Sequence, residues 1–481
     1  MAQTLELELK LEFEPGDRRR LEAAIAPKAA GRARHLVTTY FDTPGKDLVK
    51  AGYTLRIRQS GKQYVQAVKA VGRVSAGLFK RSEWEQPLAD AQPQLDESGP
   101  IVQAVVARKL TQIQPVFVTD VRRRTFRISG PDSDIEVAVD SGQIRAADFG
   151  EPLNEIEFEL RGGSIGPLFD LARQLNEQVP LRLAVRSKSE RGYSLKAKTK
   201  SQALKSEPVS FDRDGDAYDA FCAIAQACIR HFRLNETVLS QSGDAEALHQ
   251  ARVALRRLRS AFSIFKSLLG EGGTLLLLSA ELRWLTTELG EVRNIDVLMG
   301  HVDGEARDQL SEVRARTFSR VRAELTSGRT RLLMIDLVEW LAVGTWRTAP
   351  AHPTRVYGNA RHFASARLEV LRHQLNHNGQ GLAALDDKQR HRVRIEAKKL
   401  RYAAEFFASL YVTDKERRRH RRFIESLEKL QAVLGALNDL AVGQSLAAQH
   451  GIDLTPTKAS KRLRAKAEGA YDALMRNKRF W

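Results

Sequence analysis

Two hydrophobic periods divide this chain, and each admits one kind of architecture. From Leu5 to about Leu160 apolar residues alternate with polar ones, as in Leu5-Glu6-Leu7-Glu8-Leu9-Lys10, Leu55-Arg56-Ile57-Arg58 and Ile156-Glu157-Phe158-Glu159-Leu160. A period of two marks strands with one buried face. Turn residues such as Ser60-Gly61-Lys62 and Ser141-Gly142 separate the runs. A helix is expected at Pro167 to Val179, where Leu168, Leu171, Ala172 and Leu175 share a face. From Ala217 onward apolar residues recur three and four apart, the period of an amphipathic helix. The stretch Lys196 to Asp216, rich in Lys, Ser and Asp, shows no period. We therefore expect an α+β multidomain chain with a strand-rich domain over 1–200, a linker over 201–215 and an all-α domain over 216–481.

Charge narrows the partners. The chain has 77 Lys+Arg against 59 Asp+Glu, a formal net charge of +18. Residues 1–200 hold 32 basic and 26 acidic side chains, and residues 201–481 hold 45 and 33, so most of the excess lies in the helical part. That part should prefer a polyanion. Only Cys222 and Cys228 are present, which excludes a disulfide framework and points to a reducing compartment. The start Met1-Ala2-Gln3-Thr4-Leu5-Glu6 lacks a signal-peptide pattern, and the longest apolar run, Leu275-Leu276-Leu277-Leu278, is far short of a bilayer span. A soluble, cytoplasmic protein without a membrane partner is the expectation.

The helical part contains a duplication. His249-Gln250-Ala251-Arg252-Val253-Ala254-Leu255-Arg256-Arg257-Leu258-Arg259 recurs as His391-Arg392-Val393-Arg394-Ile395-Glu396-Ala397-Lys398-Lys399-Leu400-Arg401. Leu289-Gly290-Glu291-Val292-Arg293-Asn294-Ile295-Asp296 follows the first copy, and Leu434-Gly435-Ala436-Leu437-Asn438-Asp439 the second. The offsets, 40 and 43 residues, are alike. His249, Arg252, Arg256 and Arg259 are spaced three, four and three apart and form one stripe, which His391, Arg394, Lys398 and Arg401 repeat. A row of like charges repels itself and needs anions or full hydration. A solvated basic face would explain one stripe, but two in register, each headed by histidine, favour a groove for a chain of phosphates.

These paired motifs resemble the conserved-histidine α-helical domain, CHAD, over about residues 215–450. The resemblance implies two duplicated four-helix bundles that bind long-chain inorganic polyphosphate. The residues it nominates are His249, Arg252, Arg256, Arg257, Arg259, His391, Arg394, Lys398, Lys399 and Arg401.

The strands carry their own signal. Arg56 and Arg58 alternate with Leu55 and Ile57, Lys69 ends the run Val65 to Val68, and Arg81 precedes Glu83 and Glu85. Each alone reads as an ordinary wet strand face. If the strands close into a barrel, the charged faces converge, and packed charge is costly unless ions compensate it. Carboxylates from different strands offer an all-oxygen site suited to Mg²⁺ or Mn²⁺, and the Arg and Lys residues suit phosphate oxygens.

Glu6-Leu7-Glu8-Leu9-Lys10 matches the Glu-x-Glu-x-Lys signature of CYTH domains, the triphosphate tunnel metalloenzymes. Tyr40-Phe41-Asp42-Thr43, Leu55-Arg56-Ile57-Arg58, Lys69, Arg81-x-Glu83, Glu136 to Asp140, Glu155-x-Glu157-x-Glu159 and Lys188-x-x-Arg191-Gly192-Tyr193 extend the resemblance over about residues 1–200. It implies an antiparallel eight-stranded β-barrel, a tunnel, with accompanying helices. It implies hydrolysis of inorganic triphosphate to pyrophosphate and phosphate, with Glu6, Glu8, Asp140, Glu155 and Glu157 holding Mg²⁺ or Mn²⁺. Arg56, Arg58, Lys69, Arg81, Arg123, Lys188 and Arg191 would grip the triphosphate, and Lys10 would join Glu6 and Glu8 at the reacting end. The basic strand Arg122-Arg123-Arg124-Thr125-Phe126-Arg127 departs from the family habit of two tunnel-facing basic residues two apart. Either its register differs or Arg127 takes the place beside Arg123.

Three other readings stand beside this one. The tunnel residues are silent on any organic group, so a nucleoside or thiamine triphosphate as substrate, or cyclisation of ATP, is an alternative. A non-enzymatic polyphosphate-binding protein targeted to granules is another. Nucleic acid is attracted by any net positive charge, but no helix-turn-helix, zinc finger or RNA-recognition signature appears, so no specific nucleic acid is expected.

Overall fold

The computed structural model describes residues 2–72, 75–195, 202–212, 214–347, 359–449 and 459–481. Of the expected linker, residues 201 and 213 lie outside the described residues. The chain forms two compact units, one of Met1–Gln202 with Thr326–Val343 and one of Ala203–Leu325 with Gly344–Trp481. Among the described residues no helix is long and apolar enough to cross a membrane.

The first unit is built on strands β1 (Ala2–Glu12), β2 (Arg32–Asp42), β3 (Tyr53–Ser60), β4 (Gln63–Ala70), β5 (Leu78–Leu88), β6 (Gln114–Ser129), β7 (Ser133–Ala146), β8 (Phe149–Gly163) and the short β9 (Arg182–Leu183). The sheet order is β5-β4-β3-β2-β6-β7-β8-β1-β9, with every pairing antiparallel. Strand β1 closes it: its first part pairs with β5 (Glu6 opposite Arg81) and its last part with β8 (Lys10 opposite Glu157). The result is a closed eight-stranded antiparallel barrel, which leaves no free edge among those strands.

Closure sorts the alternating residues into two environments. Leu9, Leu11, Leu55, Ile57, Val137, Val139, Ile156 and Phe158 are buried, and Glu6, Glu8, Lys10, Arg56, Arg58, Asp140 and Glu157, of opposite parity, point into the barrel. Helix α1 (Gly166–Gln178) buries Leu168, Leu171, Ala172 and Leu175, the face its spacing predicts. Gly142 in β7 is one position where only glycine fits, because a Cβ there would come within 2.0 Å of the Asp120 carbonyl oxygen on β6. Helix α2 (Lys188–Ser194) starts with a Ser187–Glu190 capping box.

In the second unit, residues 203–212 have no regular structure, yet the Leu204 backbone exchanges two 2.9 Å hydrogen bonds with the Asn235 side chain. Helices α3 (Ala217–Ser242), α4 (Ala245–Ile264), α5 (Gly273–Met299) and α6 (Gly304–Leu325) form one set. After α7 (Gly328–Val343), helices α8 (Ala360–Asn378), α9 (Asp387–Phe406), α10 (Asp414–Gln449) and α11 (Ala459–Met475) form the other. The duplicated basic motifs lie on α4 and α9, which pack on each other.

Helix α7 belongs to the first unit although it interrupts the second in sequence. It packs on α1 and β9, burying Leu333, Ile335, Leu337 and Leu341. Arg173 on α1 pairs with Asp336 at 3.0 Å and with Glu339, and Arg331 donates to Asn176 Oδ1 at 2.8 Å.

Candidate functional site

The barrel interior is a cavity of about 450 Å³ in which both charge signs meet. Strand register assembles it. Arg123 on β6 lies opposite Asp140 on β7, Asp140 opposite Glu155 on β8, and Glu157 two residues on lies opposite Lys10 on β1. Around the other side Lys69 lies opposite Glu83, and Tyr40 opposite Arg56.

Three carboxylates, Asp140, Glu155 and Glu157, bring oxygens within 4.8 Å of one another. The Lys188 ammonium sits among them, 2.8 Å from Asp140 Oδ2, 2.8 Å from Glu157 Oε1 and in contact with Glu155 Oε1. Arg123 grips Asp140 with two guanidinium nitrogens at 2.7 and 2.6 Å and reaches Glu157 Oε2 at 2.5 Å. Lys10 donates to Glu157 Oε1 at 2.5 Å and lies 3.1 Å from Glu8. Burial opposes charge on Glu157, but Lys10, Lys188 and Arg123 outweigh it and hold its carboxyl well below the usual range. At Glu155 burial prevails over Lys188 and Lys10, and its pKa is raised. Its Oε2 atom is buried and has no hydrogen-bond partner. An all-oxygen donor set with an orphaned carboxylate oxygen fits a hard divalent cation.

Glu6 and Glu8 lie apart from this cluster. Glu6 pairs with Lys69 at 2.6 Å, and Glu8 with Arg81 at 3.3 Å. The cation of Arg81 lies 4.2 Å from the centre of the Phe79 ring. Towards Glu6, Arg161 bridges Glu136 and Glu159 at 2.8 Å each. Burial, opposed by Arg161 and reinforced by Glu6, Glu136 and Glu8, pushes Glu159 up to about 7.

The cationic wall is Arg56, Arg58, Lys69, Arg81 and Arg123. Arg56 is held by Glu83 at 3.0 Å. Arg58 has no carboxylate at ion-pairing distance among the described residues, and Arg56 and burial bring its pKa down to about 10. A half-buried cation without a partner is poised for an added anion.

The site set drawn from sequence is thus mostly gathered in one cavity, with some differences. Glu155 does not line it, although its buried carboxylate lies within 4.8 Å of those of Asp140 and Glu157. Arg191 does not line it: its guanidinium pairs with Glu151 and donates to the Pro152 carbonyl at 2.6 Å, with Glu155 Oε2 3.9 Å away. Arg127 does not stand in beside Arg123, because it lies outside the cavity, largely exposed and paired with Asp134. Arg123 is the inward-facing basic residue of its strand, with Thr119 and Val121 the other inward positions. Conversely, Glu83, Glu159 and Tyr40 line the cavity and were not nominated, although each falls on the inward parity of its strand.

Helix α2 places Lys188. Gly192 lies so close to Phe117 that a Cβ would stand 2.2 Å from the ring, and Tyr193 donates to Asp42 Oδ2 at 2.7 Å. Asp42 is fully buried and also accepts the backbone N–H groups of Thr43, Leu48 and Val49.

The second unit has a cavity of about 790 Å³ between α4, the start of α5 and α9. It gathers Arg252, Arg256 and Arg259 from the first motif with Arg394, Lys398 and Lys399 from the second, plus Arg283. The Nε atoms of Arg252, Arg256 and Arg394 are buried without hydrogen-bond partners. Burial and the neighbouring Arg256, Arg293 and Arg394 bring Arg252 down to about 10. Burial with Arg256, Arg394 and Arg252 brings Lys398 down to about 7, Asp439 opposing. Gly290 leaves the space that the Arg252 guanidinium occupies, 3.1 Å from where a Cβ would be.

Four nominated residues stand outside this cavity. Arg257 turns inward, pairing with Glu405 and stacking 4.8 Å from the Phe406 ring centre. Arg401 pairs with Glu405 at 3.2 Å. His391 shares Asn438 Oδ1 with Arg394, at 3.0 and 3.1 Å. His249 is half-buried near Arg293, with a pKa lowered by burial and then by that charge.

Residues 4–193 match the CYTH domain and residues 223–448 the CHAD domain. The chain is a CYTH domain followed by a CHAD domain. Over 195 residues it is 32% identical to the inorganic triphosphatase of Haemophilus influenzae, an alignment covering 40% of this chain and 55% of the relative. The chain thus spans about half the length of that curated relative. Among solved structures, the CHAD domain from the plant Ricinus communis is 27% identical, covers 57% of this chain and 95% of that one, and has a TM-score of 0.46. A Hippeastrum protein described as having a dominant triphosphatase activity is 18% identical, covers 39% and 95%, and has a TM-score of 0.31.

Proposed function

We propose that the barrel hydrolyses inorganic triphosphate to pyrophosphate and phosphate with Mg²⁺ or Mn²⁺, and that the helical unit binds long-chain inorganic polyphosphate. The observation that carries the first part is the barrel cavity whose lining brings Asp140 and Glu157, two members of the three-carboxylate cluster, together with Arg56, Arg58, Lys69, Arg81 and Arg123. The related Haemophilus influenzae sequence, an inorganic triphosphatase, supports the same reaction.

The cations and carboxylates of the tunnel pair with and neutralise one another. The reaction needs both sets to exchange partners. Asp140, Glu155 and Glu157 would hold a metal ion, and Glu6 and Glu8, which lie apart from that cluster, would hold a second. When bound, the metal supplies positive charge to the phosphate oxygens and polarises the attacking water. Arg56, Lys69, Arg81 and Arg123 would turn from their carboxylates to phosphate oxygens, join Arg58 and hold the chain in line for attack. Lys10, buried and kept protonated by Glu157 and Glu8, would stabilise charge on the departing phosphate.

Chelation by EDTA is expected to abolish phosphate release, and added Mg²⁺ or Mn²⁺ to restore it. The deciding experiment is a metal-dependent hydrolysis profile across triphosphate, ATP and long-chain polyphosphate at equal concentration. Preference for triphosphate supports the proposal, and preference for ATP assigns the tunnel to a nucleoside triphosphate.

The cationic cavity between the duplicated helices, with its unpartnered buried guanidinium nitrogens, supports polyphosphate binding. In this reading the helical unit holds the enzyme on cytoplasmic polyphosphate granules. Its affinity should depend on pH. Lys398 faces Arg252 and Arg256 on α4, Arg394 on its own helix and Asp439 on α10, and titrates near 7 when no anion is bound. A phosphate chain raises that value, so above pH 7 binding must take up a proton. Affinity should therefore weaken from pH 7 to pH 9, by at most about tenfold per unit from this lysine. Titration of labelled polyphosphate at pH 6, 7, 8 and 9 checks this, and Lys398→Met should flatten the profile.

A further inference from the structure

We infer that Lys188 is a tethered counter-cation that occupies the seat of the divalent ion in the free tunnel and must leave it when metal binds. The inference rests on the metal-dependent reading above and adds a coupling to it. Its ammonium touches all three carboxylates of the cluster, at 2.8 Å from both Asp140 and Glu157 and in contact with Glu155. A divalent ion bound by the same oxygens would lie about 2.0–2.6 Å from each. Two cations cannot share so small a space, so metal and ammonium exclude each other.

Arg123 and Lys10 also pair with Asp140 and Glu157, yet the seat is incompletely satisfied, since Glu155 Oε2 is buried with no hydrogen-bond partner and the Arg191 guanidinium lies 3.9 Å from it. Lys188 is the first residue of α2, and its neighbours Ser187 and Ser189 also line the cavity. Its side chain can swing from the carboxylates towards the cavity while the helix stays anchored through Tyr193 and Asp42. There it meets a wall already crowded with Arg56, Arg58 and Arg123, which is unfavourable unless an anion is present. Triphosphate is such an anion. Metal and triphosphate should therefore bind cooperatively, each favouring the arrangement that admits the other.

The test is calorimetric titration of Mn²⁺ alone into the full chain, without triphosphate, for wild type, Lys188→Met, Lys188→Gln, Lys188→Arg and Glu155→Gln. Removing the tethered charge should tighten Mn²⁺ binding at least tenfold in Lys188→Met and Lys188→Gln. Lys188→Arg should bind no more tightly than wild type, and Glu155→Gln should lose binding. If Lys188→Met is too unstable to titrate, saturating Mn²⁺ should raise its melting temperature more than that of wild type. Lys188→Met and Lys188→Gln binding no more tightly than wild type, while Glu155→Gln abolishes binding, overturns the inference and leaves the metal seat standing. Absence of any Glu155-dependent Mn²⁺ binding in all chains overturns the metal reading, and the inference with it.

Discussion

Glu8→Ala is expected to fold and to lose hydrolysis of triphosphate. Glu8 is buried, faces the cavity and lies 3.1 Å from Lys10 and 3.3 Å from Arg81. Removing it takes one negative charge from the proposed metal set and leaves Lys10 held by Glu157 at 2.5 Å. Loss of a group that stabilises developing charge costs on the order of 10²–10³ in turnover, and loss of a metal ligand more. The barrel itself is held by strand ladders and by the opposite face of β1, where Leu9 and Leu11 are fully buried. Breaking a buried pair costs about 3 kcal/mol, roughly 6–12 °C in melting temperature for a unit of this size. Phosphate release measured beside circular dichroism separates the two effects. Full activity in a folded Glu8→Ala chain refutes the assignment.

The double charge reversal Arg256→Glu with Lys398→Glu is expected to weaken polyphosphate binding on the order of a thousandfold, from about 2 kcal/mol for each lost charge contact. These two residues come from opposite copies of the motif and face one cavity. Burial first, and then the charges of Arg256, Arg394 and Arg252, hold Lys398 near 7. Reversal also relieves that repulsion, so the helical unit should be no less stable than before. Triphosphate hydrolysis should stay within twofold of wild type, because among the described residues those lining the tunnel all belong to the first unit. Parallel loss of both properties would argue against two separate sites. Filter retention of labelled polyphosphate at physiological salt, beside the phosphate-release assay, gives both readings.

Much of the tunnel was legible because a strand has a period of two. Once Glu6 and Glu8 are inward, so is Lys10, and the same parity carries Arg56 with Arg58 and Glu157 with Glu159. Parity also marked Tyr40 and Glu83, but nothing in their own strands distinguishes a tunnel residue from one on a wet face. Helical spacing is weaker evidence. Arg256 and Arg257 are neighbours about 100° apart on α4, and whichever faced the groove, the other had to face elsewhere. Packing decided it: Arg256 lines the cavity, and Arg257 is buried against Glu405 and Phe406. The histidines that head both motifs likewise stand outside the cavity they announce.

Local order is what the amino-acid sequence alone determined here: where strands give way to helices, which strand positions carry charge, and that the basic motif occurs twice. These depend on near neighbours along the chain, whose spacing the backbone sets. Closure of β1 onto both β5 and β8 belongs to tertiary structure, and it turns wet faces into a cavity. Only the folded chain, too, puts Lys188 among Asp140, Glu155 and Glu157, across 31 to 48 residues of sequence. The same holds for α7, whose helical period fits either unit but whose apolar face found its partner on α1 and β9. Such pairings depend on which distant surfaces complement each other, and a periodicity read along one strand or helix contains no term for that.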